Sequence, residues 1–194
     1  MRDATLIVCI LDRSGSMQDI LDDAIGGFNS FLEQQKALPG EAEITVALFD
    51  DQYELSYKGV PLHSMPALTK QTFVPRGMTA LYDAVGRTIA MIGSWLNACP
   101  EEKRPNKVIV LILTDGEENS SREYSANRVQ EMIKTQREVY SWEFVFVGAT
   151  EKSMTNAKSI GIDSSKSIRF TSDNAGTRAA YSAMSNVTRS YRGS

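Results

Sequence analysis

Three segments of this sequence carry hydroxyl and carboxyl side chains that could hold a hard metal ion: two follow apolar strand-like runs, and the other ends a long loop at a helix start. They are residues 12–16 (DRSGS), 77–79 (GMT) and 114–117 (TDGE). Alternating side chains in the first segment can direct three oxygens to one side of an extended or tightly curled loop. Two carboxylates and three hydroxyls form an all-oxygen site of low charge, which suits Mg²⁺ or Mn²⁺ better than a softer metal. The predicted ligands are Asp12, Ser14, Ser16, Thr79 and Asp115.

Some of these residues also have a purely structural interpretation. The pattern D-x-S-x-S after a strand could simply cap the first helix. Asp83 and Glu117 could orient a metal-bound water, or they could favour a helix start and fill a turn. The pair at positions 50–51 (DD) is interpreted as a solvated hairpin turn. The metal interpretation therefore depends on all five predicted ligands together.

The residues that flank the predicted ligands could form a rim that contacts a partner, although surface solubility explains an arginine equally well. These residues are Arg13, Met17, Arg76 and Met78. The single histidine, His63, lies in a proline-flanked segment and is expected to be a loop residue without a special role.

Strands and helices alternate in the predicted secondary structure. Apolar, β-branched runs predict strands at 4–11, 44–49, 53–57, 107–114, 142–147 and 167–170. Helical spacing of apolar residues predicts helices at 18–38, 79–96, 125–138, 152–160 and 175–191. The short link 50–52 favours a hairpin, so the third strand is expected to be antiparallel. The alternation predicts an α/β fold with three layers, α/β/α: a Rossmann-like open sheet of six strands, mostly parallel with one antiparallel edge strand.

Two local signals sharpen this prediction. The pair Gly26-Gly27 interrupts the first helix at a cost of about 1 kcal/mol per glycine, so a neighbouring element is expected to approach closely there. The last helix is expected to begin at an N-cap, either Asp173 or Asn174.

Residues 59–77 contain three prolines and are expected to form a long ordered loop.

The five predicted ligands, in their order along the chain, resemble the metal-ion-dependent adhesion site of von Willebrand factor type A domains. The resemblance covers essentially the whole chain, and the segments 79–84 (TALYDA) and 114–117 are most similar to intracellular bacterial or phage members. It implies that Asp12 anchors the ion mainly through water, while Ser14 and Ser16 bind it directly. It also implies that Thr79 and Asp115 bind directly or through water, according to conformational state.

The resemblance further implies a protein-binding module rather than an enzyme. In this family an open coordination position takes a Glu or Asp carboxylate from a partner protein, and stand-alone members serve as scaffold or assembly subunits. The last helix could slide as a partner binds, or it could be a plain packing helix. The alternative is an Mg²⁺-dependent phosphohydrolase of the haloacid dehalogenase type. That class needs a general acid at position 14, where this chain has Ser14.

Composition limits the remaining function classes. The chain has 194 residues, 21 basic and 24 acidic side chains and a formal charge of −3, so nothing argues for nucleic acid or an anionic membrane as partner. Its longest apolar runs are far shorter than a bilayer span. Two distant cysteines, Cys9 and Cys99, are interpreted as reduced thiols in the cytoplasm. We therefore expect one cytoplasmic domain over residues 1–194, with no prediction of its oligomeric state.

Overall fold

The computed structural model describes residues 1–171 and 173–193, and its centre is a six-stranded sheet. The strands are β1 (Arg2–Asp12), β2 (Glu41–Phe49), β3 (Tyr53–Pro61), β4 (Pro105–Thr114), β5 (Glu143–Gly148) and β6 (Ser167–Arg169). Their order in the sheet is β3-β2-β1-β4-β5-β6. Neighbouring strands are parallel except at one edge, where β3 runs antiparallel to β2. The predicted fold class is confirmed.

Helices cover both faces of the sheet. They are α1 (Leu21–Lys36), α2 (Leu81–Ala98), α3 (Ala126–Tyr140), α4 (Glu151–Ser159) and α5 (Asn174–Gly193). Alternate residues of β1 divide between two cores: Ile7 packs in the core under α1 and α5, whereas Val8 packs in the core under α2, α3 and α4. Because β1 is buried on both faces, its sequence is continuously apolar. No helix in the described part of the chain is long and apolar enough to span a membrane.

Most element boundaries lie within three residues of the predicted ones, and two differences change the description of an element. A short 3₁₀ helix, Gly15–Ile20, precedes α1, so the predicted first helix divides into two. Strand β3 continues to Pro61, so residues 59–61 of the predicted loop belong to this strand. The rest of that loop is ordered, as predicted: Phe73 is buried, and the side chain of Asn29 exchanges hydrogen bonds of 2.8 and 3.0 Å with the backbone of Leu68.

The close approach predicted at the glycine pair of α1 occurs at Gly27. A Cβ atom built there would lie 2.2 Å from a ring carbon of Tyr181 in α5, whereas one built at Gly26 would have no neighbour within 4 Å. At the start of α5, the Asp173 carboxylate accepts a 2.7 Å hydrogen bond from the backbone N–H of Gly176. Of the two predicted caps, Asp173 therefore fills the role.

The strand order reverses between β1 and β4, and this point fixes where polar side chains meet. Leu11 pairs with Leu113, so the carboxyl ends of these parallel strands lie side by side. In open α/β sheets, such a switch point opens a crevice beyond the strand ends. The first and third ligand segments of the sequence emerge into that crevice.

Candidate metal centre

Hydrogen bonds join the first and third ligand segments directly. The Ser16 hydroxyl donates to Asp115 Oδ1 at 2.7 Å, and Ser14 Oγ lies 3.2 Å from Ser16 Oγ. Asp12 Oδ1 accepts a 2.6 Å hydrogen bond from the backbone N–H of Ser14, which curls the segment back towards the end of β1. Four of the five predicted residues thus form one hydrogen-bonded group.

The segment that carries Thr79 runs alongside the first one. The backbone N–H of Gly15 donates to the Gly77 carbonyl at 3.2 Å. On its other side, Thr79 is held by Asn119: its N–H donates to Asn119 Oδ1 at 2.9 Å, and its carbonyl accepts from the Asn119 N–H at 3.0 Å. The buried Thr79 side chain is therefore fixed between the loops that follow β1 and β4.

Gly116 marks the point at which the oxygens converge. A Cβ atom built on it would lie 2.9 Å from Thr79 Oγ1, 3.4 Å from Asp12 Oδ2 and 3.5 Å from Ser14 Oγ. Three side-chain oxygens from different segments thus border the space that a side chain at position 116 would fill. Together with the hydrogen bonds of Ser16 and Asp115, this places all five predicted residues at one site.

The donor set fits a hard divalent cation. It consists of two carboxylates and three hydroxyls, the oxygen ligands that Mg²⁺ and Mn²⁺ prefer. Across residues 1–171 and 173–193, no three His, Cys, Asp or Glu side chains group as a metal site, so an ion held here would need hydroxyl ligands as well as carboxylates. Four of the five residues are buried, whereas Ser16 is exposed. The site therefore opens to solvent on the Ser16 side.

The Asp12 carboxylate is electrostatically costly in this position. Burial, with a smaller contribution from the neighbouring Asp115 carboxylate, raises the pKa of Asp12 to about 6. Hydrogen bonds from the hydroxyl of Thr114, at 2.5 Å, and from Ser14 lower the pKa but do not outweigh burial. A cation beside Asp12 would stabilise the charged form, since opposite charge offsets desolvation.

Asp83 and Glu117 have structural roles in the described fold. Both oxygens of Asp83 accept backbone hydrogen bonds, of 2.8 to 2.9 Å, from the N–H groups of residues 122–124. Asp83 therefore ties the loop after β4 to the start of α2, and its oxygens are engaged there. Glu117 forms an exposed ion pair of 2.8 Å with Lys152. The structural alternative is the better description of both residues.

The interpretation of Asp50 as a solvated turn is wrong. Its side chain is 0% exposed and accepts hydrogen bonds from Arg13 Nε at 2.9 Å and from Arg76 Nε at 2.8 Å. The partners are 37 and 26 residues away in the chain, so no local pattern indicates them.

Two of the four residues predicted as a rim lie in the interior. Arg13 is 4% exposed and Met17 is fully buried, so neither is available to a partner. Arg76 and Met78 are about half exposed and lie on the solvent side of the Thr79 segment. His63 is exposed at the opposite end of the parallel strands, in a cavity shared with Arg2 and Glu41 at the starts of β1 and β2.

Asn119 is the residue that sequence reasoning missed. It lies in a polar segment that the sequence marks only as a turn, and its partner Thr79 is 40 residues away. The pattern of a polar loop does not indicate which of its side chains will hydrogen-bond to a distant segment.

Structures of similar fold come from several organisms. Proximal thread matrix protein 1 from the mussel byssus has a TM-score of 0.66 at 13% identity, over 96% of this chain and 46% of its own. The ArnB paralog VWA2 from Sulfolobus acidocaldarius has a TM-score of 0.56 at 16% identity, over 92% and 44%. A von Willebrand factor type A protein from Catenulispora acidiphila has a TM-score of 0.60 at 14% identity, over 94% and 42%.

One of these neighbours has been seen with metal. A further structure of the mussel protein, with a TM-score of 0.64 at 14% identity over 96% of this chain and 46% of its own, has a zinc-occupied MIDAS motif, the metal-ion-dependent adhesion site. This chain spans less than half the length of each of these structures. No protein-family model matches the sequence, and neither does any curated protein. The six-stranded sheet and the likeness to these structures show that the chain has the von Willebrand factor type A fold.

Proposed function

We propose that this protein is a divalent-metal-dependent protein-binding module. In this proposal Asp12, Ser14, Ser16, Thr79 and Asp115 hold one Mg²⁺ or Mn²⁺ ion. The observation that carries it is the convergence of three separate segments on one all-oxygen site at the switch point of the sheet. A zinc-occupied metal site in a neighbour of the same fold supports the same conclusion.

The proposed partner supplies an acidic side chain. Five protein positions leave at least one coordination position of an octahedral ion open, and the exposure of Ser16 puts that position on the solvent side. A carboxylate from a Glu or Asp of another protein is the ligand that a hard cation of this kind prefers. The ion then bridges the two proteins, and the chain acts as a scaffold or assembly subunit.

The proposed setting is the cytoplasm, with residues 1–194 acting as one unit and with neither nucleic acid nor membrane as partner. Cys9 and Cys99 are free thiols, as expected in a reducing compartment. The formal charge of −3 gives no electrostatic reason to bind a polyanion. These properties also fit the intracellular members that the sequence resembles.

The open coordination position can be tested with the Mn²⁺-loaded protein. Bound Mn²⁺ accelerates the relaxation of water protons through its own water ligands, so a carboxylate that displaces a water reduces the effect. We expect a blocked peptide, Gly-Glu-Gly, to reduce it and the matched Gly-Gln-Gly peptide to leave it unchanged. Equal effects of the two peptides, or no effect of either at saturating Mn²⁺, would contradict carboxylate capture.

A further inference from the structure

Asp50 joins the two loops that carry most of the proposed ligands. It follows directly after β2, and its Oδ2 atom accepts hydrogen bonds from both Arg13 and Arg76. Its Oδ1 atom accepts a 2.6 Å hydrogen bond from the Gln52 N–H. Both oxygens of a fully buried carboxylate are thus satisfied by partners from three different segments.

Each arginine belongs to a proposed ligand loop. Arg13 lies between Asp12 and Ser14, and its backbone N–H donates to the Phe49 carbonyl at 2.7 Å. Arg76 directly precedes the 77–79 segment in the Thr79 loop, and its backbone N–H donates to the Arg13 carbonyl at 2.9 Å.

The backbone of Asp50 reaches the Thr79 loop as well. The N–H of Ala80, directly after Thr79, donates to the Asp50 carbonyl at 2.8 Å. Both the backbone and the side chain of Asp50 therefore contact the segment that supplies the Thr79 hydroxyl.

We propose that Asp50 is a positioning residue of the metal site: through Arg13 and Arg76 it fixes the spacing between the Asp12–Ser14 loop and the Thr79 loop. This inference rests on the proposed metal site, because it assigns a role to a residue that does not itself touch the ion. Metal ions such as Mg²⁺ demand near-ideal ligand geometry, so a change in loop spacing weakens binding. Residues that orient metal ligands typically change affinity by 10- to 100-fold when substituted.

Ion pairs hold both arginines against the Asp50 carboxylate. Arg13 is buried and also pairs with Glu54 at 2.7 Å, so it remains anchored in the absence of metal. Removing the Asp50 charge would leave a buried guanidinium with only Glu54 to compensate it. Arg76 is half exposed, so a substitution there breaks the link between the loops with little disturbance of the interior.

The test is the Mn²⁺ dissociation constant of folded variants, measured by the loss of the free-ion electron paramagnetic resonance signal. The variants are Asp50→Asn and Arg76→Gln. Asp22→Asn controls for removal of one negative charge from an exposed ion pair, here with Lys70, and Arg87→Gln controls for loss of an exposed arginine ion pair, here with Glu123. All are measured well below their unfolding temperatures in EDTA.

We expect both test variants to bind Mn²⁺ about tenfold more weakly and both controls to stay within about twofold of the wild type. The double variant is expected to be no weaker than the weaker single variant, since both remove one shared interaction. Unchanged Mn²⁺ affinity in the test variants, even with lowered unfolding temperatures, would overturn the positioning role. If Asp50→Asn does not fold, Arg76→Gln decides. Absence of Mn²⁺ binding by the wild type would overturn the metal site and this inference together.

Discussion

The Asp12 carboxylate is completely buried, although its proposed role requires a negative charge. Burial disfavours that charge and raises the pKa of Asp12 to about 6. The hydrogen bonds from Thr114 and Ser14 favour the charged form but do not restore the usual pKa. At neutral pH the carboxylate is ionised, and a bound cation would stabilise it.

We expect Asp12 to make the affinity of the proposed site for metal pH-dependent. Because the pKa of Asp12 is raised to about 6, a cation must displace a proton from it below pH 6 and not above. Isothermal titration calorimetry with Mn²⁺ is expected to give a dissociation constant about tenfold higher at pH 5.0 than at pH 7.5. Circular dichroism in EDTA checks that the fold is intact at both values. Equal affinity at the two pH values would contradict the assigned role of Asp12.

Gly116 provides a second prediction for a single residue. Alanine there would place a methyl group 2.9 Å from Thr79 Oγ1, among the proposed ligands. We expect Gly116→Ala to weaken Mn²⁺ binding at least tenfold, about 1.4 kcal/mol, because the methyl group displaces the ligand oxygens. The matched control is Gly15→Ala in the ligand segment itself, where the nearest atom is the Gly77 carbonyl oxygen at an ordinary 3.5 Å. Equal effects of the two substitutions would place the ion elsewhere.

Among the secondary-structure elements, the α1–α5 contact shows how closely the layers pack. Gly27 lies against the ring of Tyr181, and Gln35 donates hydrogen bonds of 3.1 and 3.0 Å to the carbonyl and hydroxyl of Ser185. The Gln35 and Ser185 side chains are fully buried, so the α1–α5 contact includes buried hydrogen bonds as well as apolar packing. These contacts give α5 a defined packing position against α1.

The two neighbouring glycines of α1 form a natural pair for a stability experiment. We expect Gly27→Ala to lower the free energy of unfolding by about 1–3 kcal/mol, because its methyl group would overlap the Tyr181 ring. We expect Gly26→Ala to raise it by about 0.5–1 kcal/mol, because the helix gains propensity and nothing lies within 4 Å. Urea unfolding measures both. Stabilisation by both substitutions would show that α5 does not press on α1.

The elements themselves were predictable because apolar periodicity is local. The continuous apolar runs of β1 and β4, and the helical stripe of α2, identify a buried parallel sheet without knowledge of any contact. The 3₁₀ turn before α1 was not predicted, since its apolar spacing continues into that helix.

The candidate site was predictable for a different reason. Four of its five residues lie at the carboxyl ends of β1 and β4, and parallel pairing brings those ends together, whereas Thr79 arrives from the long loop before α2. Asp50 was misinterpreted and Asn119 missed because their roles depend on partners from 26 to 40 residues away. Such pairings depend on how loops cross, which local composition does not encode.

At the scale of the whole molecule, the single histidine is separated from the proposed metal site. His63 lies near the amino ends of β1 and β2, at the opposite end of the parallel strands from the site, and position 14 carries a serine instead of an acid. We expect no hydrolysis of generic phosphatase, esterase or nucleotidase substrates by purified protein with Mg²⁺ or Mn²⁺. Metal-dependent hydrolysis that disappears in Asp12→Asn would favour the phosphohydrolase alternative.

The most direct test of the metal site is the number of ions bound per chain. Equilibrium dialysis against Mn²⁺ should give one tightly bound ion for the wild type and loss of most of that binding for Asp12→Ala. Asp163→Ala, an exposed carboxylate after α4, should bind like the wild type. If the wild type binds no ion, or if Asp12→Ala retains the full stoichiometry and affinity, the proposed metal-dependent binding module is wrong.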